Sequence, residues 1–200
     1  MPVFVPEDHP PFTSRINHDD PFQAIEEMNN LECSTQSTST LGRSLSAFRL
    51  GFTTPKGRLI TVESAYQGSK VFEHGGPFQD IYDMKPAQAK KDERVRTHGR
   101  ITAFHFFNRY MPCMPINAFY NWLYLSSLVR ACPDAPTILE RYDGFIDRFF
   151  HPTKGRACQA EAVSMVKGLH THGLFTVEFF KNWKEFYEIM RNVEKGNEIK

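Results

Sequence analysis

The chain has 200 residues, of which 40% are hydrophobic and 24% are charged, and its formal net charge is +1. This length and composition fit a single globular domain with a sizeable core. The near-zero charge excludes a protein drawn to nucleic acid by its overall charge, so any contact with DNA has to come from a local basic patch.

The remaining bulk features favour a cytoplasmic protein. The N-terminus has no basic region followed by an apolar run, and no apolar stretch approaches the length of a membrane span. The spacing of the cysteines matches no zinc pattern, which favours free thiols in a reducing compartment. We therefore expect no metal and no membrane contact. The cysteines are Cys33, Cys113, Cys132 and Cys158.

The first forty residues are predicted to lie outside the folded domain. Residues 1–20 contain four prolines and mixed charge, which predicts an extended arm. A short helix is predicted over Ala24–Leu31, and the Ser/Thr-rich stretch Cys33–Thr40 is typical of a loop. The pattern thus indicates an arm and loop over 1–40, followed by a domain over 41–200.

The domain begins with two predicted strands and a helix. Leu45–Leu50 and Arg58–Val62 have strand composition, and the Thr54–Gly57 stretch between them has turn chemistry. A helix is predicted over Glu63–Glu73, because the glycine pair at 75–76 is typical of a helix end.

Helical patterns dominate the rest of the chain. Together with the two strands they predict an α+β fold, a mostly helical single domain with a small β-sheet. The aromatic residues of the last helix are expected to be core. The predicted helices are Lys85–Lys91, Ile101–Tyr110, Ile116–Arg130, Thr137–Tyr142, Gln159–Thr171 and a final amphipathic helix that includes Phe179 and Met190.

The segment Thr61–Lys70 has the most informative pattern of functional groups. On a helix, Glu63, Gln67 and Lys70 fall at i, i+4 and i+7 and share one face. The helix dipole keeps a carboxylate charged near the helix N-terminus, so the face could present a reactive Glu63. The spacing alone favours the other interpretation, a solvated stripe with a weak ion pair.

The same residues carry a family resemblance. Val-Glu-Ser-Ala-Tyr-Gln-Gly-Ser-Lys, over 62–70, resembles the signature of the NADAR family. The stretches 45–48 and 57–61 are similar to the family's Ser-Asn-Phe segment and to the strand that leads to the glutamate. The chain looks closest to the branch encoded beside DarT-type toxins, which ADP-ribosylate guanine in DNA. The resemblance implies an antitoxin that removes ADP-ribose from the modified base.

That reaction needs a carboxylate and a group that helps the base to leave. Cleavage of the N-glycosidic bond at ribose C1 passes through an oxocarbenium-like transition state, which Glu63 would stabilise or supply with activated water. A covalent sugar intermediate on Glu63 remains open. Lys70, Asp143 or Asp147 could assist the leaving base. Each aspartate also has a structural alternative, since Asp143 could cap an Asp-Gly turn and Asp147 could pair with Arg148 or Lys154.

Several neighbouring side chains are candidates for substrate binding. Tyr66 or Phe48 could stack on a base, and Ser44 and Ser46 could bond a phosphate or a ribose hydroxyl. Gln67 would shape the pocket. A basic segment with no other assigned role could contact DNA phosphates, although a solvated surface explains it equally well. It contains Lys85, Lys90, Lys91, Arg94, Arg96, His98 and Arg100.

The resemblance therefore implies a substrate of ADP-ribosylated DNA in single-stranded form, ADP-ribose as product, no cofactor, and a cognate DarT-type toxin. Two alternatives remain open from the sequence. One is an N-glycosidase acting on small nucleotide or riboflavin-pathway metabolites. The other is an antitoxin that binds the toxin without catalysis, using the arm and the Cys33–Thr40 loop.

Overall fold

The structure is a computed structural model that describes residues 3–6, 14–17, 29–150 and 157–194, with 14–17 described as backbone only. Most of the helix predicted over Ala24–Leu31 lies outside the described residues. Its last two residues begin a strand instead.

Within the described residues, the strands form three small sheets. The first has the order β2-β1-β9-β3, the second is the pair β4-β5, and the third has the order β6-β7-β8. The pair β3 and β9 is parallel, and the other pairs are antiparallel. The strands are β1 (Val3–Pro6), β2 (Ser14–Asn17), β3 (Asn30–Glu32), β4 (Gly51–Thr53), β5 (Leu59–Thr61), β6 (Lys70–Phe72), β7 (Ile101–Phe106), β8 (Arg109–Pro112) and β9 (Gly144–Ile146).

Helices pack around one central helix, α5, whose residues 118–129 are all buried. A helix buried on every side belongs to the middle of a core. The helices are α1 (Thr40–Ser44), α2 (Val62–Gly68), α3 (Pro86–Ala89), α4 (Arg94–Thr97), α5 (Ala118–Ala131), α6 (Ala135–Leu139), α7 (Gln159–Thr171), α8 (Val177–Lys181) and α9 (Trp183–Glu194), with a 3-10 turn at Gln79–Asp83. The predicted single α+β domain, mostly helical with small sheets, is confirmed.

Stacked aromatic rings join the elements that carry the candidate site. Phe104 of β7 stacks on Phe119 of α5, with ring centroids 4.2 Å apart. Tyr66 of α2 stacks on both rings, at 5.6 Å and 6.2 Å. These contacts fix α2 against the core, because stacked aromatic pairs add to the free energy gained from burial alone.

The predicted helix over Ile101–Tyr110 is wrong, since this segment is the β7-β8 hairpin. Phe104 and Phe106 are both buried, as alternate residues on one face of a strand. Phe107 has a φ of 51°, a left-handed conformation that turns the chain into β8. The aromatic run therefore follows the two-residue period of a strand. Its composition alone fits either a helix or a strand.

Near the site, one further element type and one helix end differ from the prediction. Leu45–Leu50 is a turn rather than a strand, and the N–H groups of Arg49 and Leu50 donate to the Ser46 carbonyl. The helix that starts at Val62 ends at Gly68, and the next residues enter β6. The turn at Thr54–Gly57 is confirmed, with Thr54 N donating to the Arg58 carbonyl at 2.8 Å.

The described N-terminal residues, 3–6 and 14–17, are strands of the domain's first sheet, and the rest of the arm predicted over 1–20 lies outside the described residues. β1 pairs with β2 on one side and with β9 on the other. Phe4 of β1 is buried in the core, so this part of the arm contributes to the folded unit. Across the described residues, the structure contains no helix of the length and apolar character that crossing a membrane requires.

Candidate functional site

One cavity of about 620 Å³ lies between α2, the turn that follows α1, and the starts of β7 and α7. It is lined by Glu63 and Asp147, which are two of the three carboxylates that the sequence analysis named as catalytic candidates. Six of the predicted binding residues line it as well: Ser46, Phe48, Tyr66, Gln67, Lys70 and Lys90.

The buried helix α2 presents Glu63 to this cavity. Thr61 caps the helix, with its side-chain oxygen accepting from Ser64 N at 3.2 Å. The N–H of Glu63 donates to the Ala47 carbonyl at 3.0 Å, and that of Val62 donates to the Leu50 carbonyl at 2.8 Å. The first turn of α2 therefore has its free N–H groups satisfied by the preceding turn and by its own cap.

A relay of hydrogen bonds fixes the three functional groups of the Thr61–Lys70 segment. Lys70 Nζ donates to Gln67 Oε1 at 2.6 Å, and Gln67 Nε2 donates to Glu63 Oε1 at 2.8 Å. Because the Gln67 oxygen is taken by the ammonium, its amide nitrogen must point at the carboxylate. Lys70 reaches this position from β6 rather than from the predicted helix face.

Lys70 is buried, and its ammonium lies 4.5 Å from the centre of the Tyr66 ring. Burial lowers its pKa to about 8, since desolvation penalises the charged form. The Glu63 carboxylate opposes this shift, and the positive charge of Lys90 adds to it. The amine is therefore close to half-protonated slightly above neutral pH.

Asp147 lies in the cavity wall directly after β9 and is only 7% exposed. Its Oδ1 accepts from Phe149 N at 3.1 Å. Burial raises the pKa of this carboxyl, and the Phe149 N–H and the charge of Lys90 offset part of the shift. A buried carboxyl with a raised pKa can carry a proton at a pH where an exposed aspartate cannot.

Two predicted site residues lie outside the cavity. Ser44 is exposed, and its hydroxyl donates to the Leu41 carbonyl at 2.7 Å. Asp143 accepts from Asn29 N at 2.9 Å and lines a separate cavity of about 560 Å³ between α6, α7 and β9. The structure therefore separates the two aspartates that the sequence left as alternatives.

The cavity also contains polar residues that the sequence analysis did not select. Gln159 Oε1 accepts from Ala47 N at 2.8 Å, which joins α7 to the turn before α2. Ser34 and Thr35 come from the predicted loop, and the buried Tyr120 comes from α5. The Ser/Thr-rich composition of their segment was a weak signal that Ser34 and Thr35 bind a ligand. The position of Tyr120 in the cavity follows only from the packing of α5.

Most of the basic segment does not reach the cavity. Arg94 binds Asp80 and Asp92, and Arg100 binds Glu73. Of this segment, only Lys90 lines the cavity. Among the described residues, no group of three His, Cys, Asp or Glu side chains could hold a metal ion.

Comparison with known proteins adds one finding to this geometry. Residues 16–200 match a family model described as the DarT1-associated NADAR antitoxin. No curated protein matches the chain.

Proposed function

The chain belongs to the DarT1-associated NADAR antitoxin family, and we propose that it is an enzyme that removes ADP-ribose from guanine bases in DNA. Membership in this family assigns it the role of an antitoxin against a DarT toxin. The proposed reaction would explain how it does so, because hydrolysis of the adduct reverses the damage that such a toxin causes.

The observation that carries the proposal is the fixed position of Glu63 in the cavity. Glu63 is 7% exposed, and its carboxylate accepts from Gln67, which in turn accepts from Lys70. Positive charge builds up at ribose C1 when the bond to guanine breaks. A carboxylate that is already oriented stabilises this charge without reorganisation at the moment of reaction.

In the proposed reaction, the bond from C1 to the guanine nitrogen breaks and a water oxygen bonds to C1. Glu63 stabilises the oxocarbenium-like state and accepts the proton of the attacking water. Asp147 supplies a proton to the departing guanine, in keeping with the raised pKa that burial gives it. The products are ADP-ribose and unmodified guanine in the strand.

The cavity also suits the size and charge of ADP-ribose. Its volume of about 620 Å³ falls within the usual range for small-molecule sites. Lys70 supplies positive charge for the diphosphate, and Ser46 supplies a hydroxyl. Tyr66, Gln67 and Lys70 act together as a rigid support for Glu63.

The test measures ADP-ribose release from a single-stranded oligonucleotide that contains ADP-ribosylated guanine. We expect release by the wild type and none by Glu63→Gln. The matched control is Glu178→Gln, because Glu178 is an exposed α8 residue paired with Lys181. A Glu63→Gln variant that keeps the full rate would overturn the assignment.

The same assay separates the two alternatives. Activity on free nucleotide or riboflavin-pathway metabolites, with none on modified DNA, would indicate a metabolite N-glycosidase. If the folded wild type released nothing from either substrate yet co-purified with the toxin, neutralisation by binding would be indicated.

A further inference from the structure

The opening of the main cavity carries two aromatic rings, Phe48 and Phe149. Phe149 is 55% exposed although it lines the cavity, and Phe48 is half-buried. Single exposed apolar residues are common on protein surfaces. The position of these two is informative, because they lie at the rim of a cavity that holds two carboxylates and a buried lysine.

A positive charge accompanies the rings. Lys90 is exposed and lines the same cavity, and its Nζ lies 5.8 Å from the centre of the Phe48 ring. The opening thus combines flat apolar surfaces with a cation. Proteins bind single-stranded nucleic acid in this way, with aromatic rings stacking on bases and basic residues contacting phosphates.

The depth of the cavity determines which part of the substrate meets the rings. Ribose C1 has to reach Glu63, which is almost completely buried. ADP-ribose then occupies the interior, the guanine bonded to C1 enters with it, and the rest of the polynucleotide must remain outside. The neighbouring bases of the strand therefore pass the rim, where Phe48 and Phe149 lie.

We propose that Phe48 and Phe149 stack on nucleobases of a single DNA strand at the cavity opening, while Lys90 contacts a phosphate of that strand. This inference rests on the proposed function and assigns the residues that distinguish a DNA substrate from ADP-ribose alone. It also gives a reason for a preference for single strands, because a base within a duplex has no free face to stack on the protein.

The kinetic test compares Phe149→Ala with the wild type on a modified single-stranded oligonucleotide. We expect KM to rise about tenfold and kcat to change less than about twofold, because the ring binds the strand and not the reacting atoms. Phe149→Trp should retain a low KM, since it keeps a stacking surface. The control is Tyr110→Ala, because Tyr110 is 63% exposed on β8 and does not line the cavity. Equal KM values for Phe149→Ala and Tyr110→Ala would overturn the proposal.

A binding test separates this inference from the proposed function. In a Glu63→Gln background, anisotropy measures the binding of a fluorescein-labelled single-stranded oligonucleotide, and calorimetry measures the binding of ADP-ribose. Addition of Phe149→Ala should weaken oligonucleotide binding about tenfold and leave ADP-ribose binding unchanged. An equal loss for both ligands would make Phe149 a part of the ADP-ribose site and refute the DNA contact. Absence of turnover in the wild type would refute the proposed function only, because these binding measurements need no catalysis.

Discussion

The buried ammonium of Lys70 shows how a single residue links the cavity to the stability of the protein. Burial in the folded state lowers its pKa from 10.5 to about 8. Between about pH 8 and about pH 10.5, the unfolded chain keeps the Lys70 proton while the folded chain largely loses it. The free-energy cost of burying the charged amine is therefore complete below about pH 8, decreases as the pH rises, and disappears above about pH 10.5.

We expect this linkage to appear as a difference between the wild type and Lys70→Met. From about pH 7 to about pH 9.5, the unfolding free energy of the wild type should rise by about 2 kcal/mol relative to the variant. Other titrating groups act on both proteins and cancel in the difference. Urea denaturation at the two pH values measures it. A difference that is independent of pH would show that Lys70 keeps an ordinary pKa.

The two aspartates allow a matched comparison, since only Asp147 lines the main cavity. Asp147→Asn should lower the rate of ADP-ribose release by about 100-fold, because the amide cannot give a proton to the leaving guanine. Asp143→Asn should keep the rate, since its side-chain oxygen can still accept from Asn29 N. Single-turnover kinetics of both variants test the assignment, and the reverse order of effects would contradict it.

For a proton donor, the pH dependence has a defined sign. A raised pKa keeps Asp147 protonated to a higher pH than an ordinary aspartate. The rate should therefore fall as the pH rises through this pKa, and Asp147→Asn should lose that fall. A wild-type rate that rises over the same range would indicate that Asp147 acts as a base.

At the scale of elements, the short length of α2 brings Lys70 to the cavity. The chain leaves the helix after Gly68 and enters β6, where Lys70 pairs with Phe104 of β7. A Cβ at Gly68 would lie 2.7 Å from the ring of Tyr82 and 3.1 Å from the Phe78 carbonyl oxygen. A larger residue at this position would displace the segment that joins Gln67 to Lys70.

Gly68→Ala should therefore destabilise the protein by about 1–3 kcal/mol, the usual cost of overpacking a core. Chemical denaturation gives this value directly. Since Tyr82→Leu removes the clashing ring, the double variant should lose less stability than the sum of the two single variants. Exact additivity would show that the ring of Tyr82 is not the obstacle.

Elements with a clear period were predicted well, and those set by distant contacts were not. The helix over Gln159–Thr171 was predicted with the observed bounds, and the helix around Phe119 was predicted within two residues at each end. The aromatic run at 101–110 fits either a helix or a strand, and its pairing with β6 decided the outcome. At the end of α2, Gly68 lies against the ring of Tyr82, a contact between residues 14 positions apart that no local pattern indicates.

At the scale of the whole molecule, the cavity combines segments from both ends of the domain. Glu63 comes from α2, whereas Asp147 and Gln159 come from about 80 to 100 residues later. If the antitoxin acts through this cavity, its protective effect should depend on Glu63. We expect co-expression of the wild type to rescue cells that carry the partner toxin, and Glu63→Gln to fail at equal protein levels.

Colony counts measure the rescue, and immunoblots measure the protein level and the amount of ADP-ribosylated DNA. Glu178→Gln should protect as the wild type does, because it changes an exposed ion pair of little energetic weight. Protection by Glu63→Gln with the DNA adducts still present would instead support neutralisation of the toxin by direct binding.

The sequence by itself determined the fold class, the family and the local set Glu63, Gln67 and Lys70. These depend on composition, period and short motifs, which involve neighbours along the chain. Only the tertiary structure decided that Asp147 joins this set while Asp143 does not, and that Phe149 lies at the cavity opening. Contacts between distant segments leave no periodic signal, because they form only when α2, β9 and α7 pack against one core.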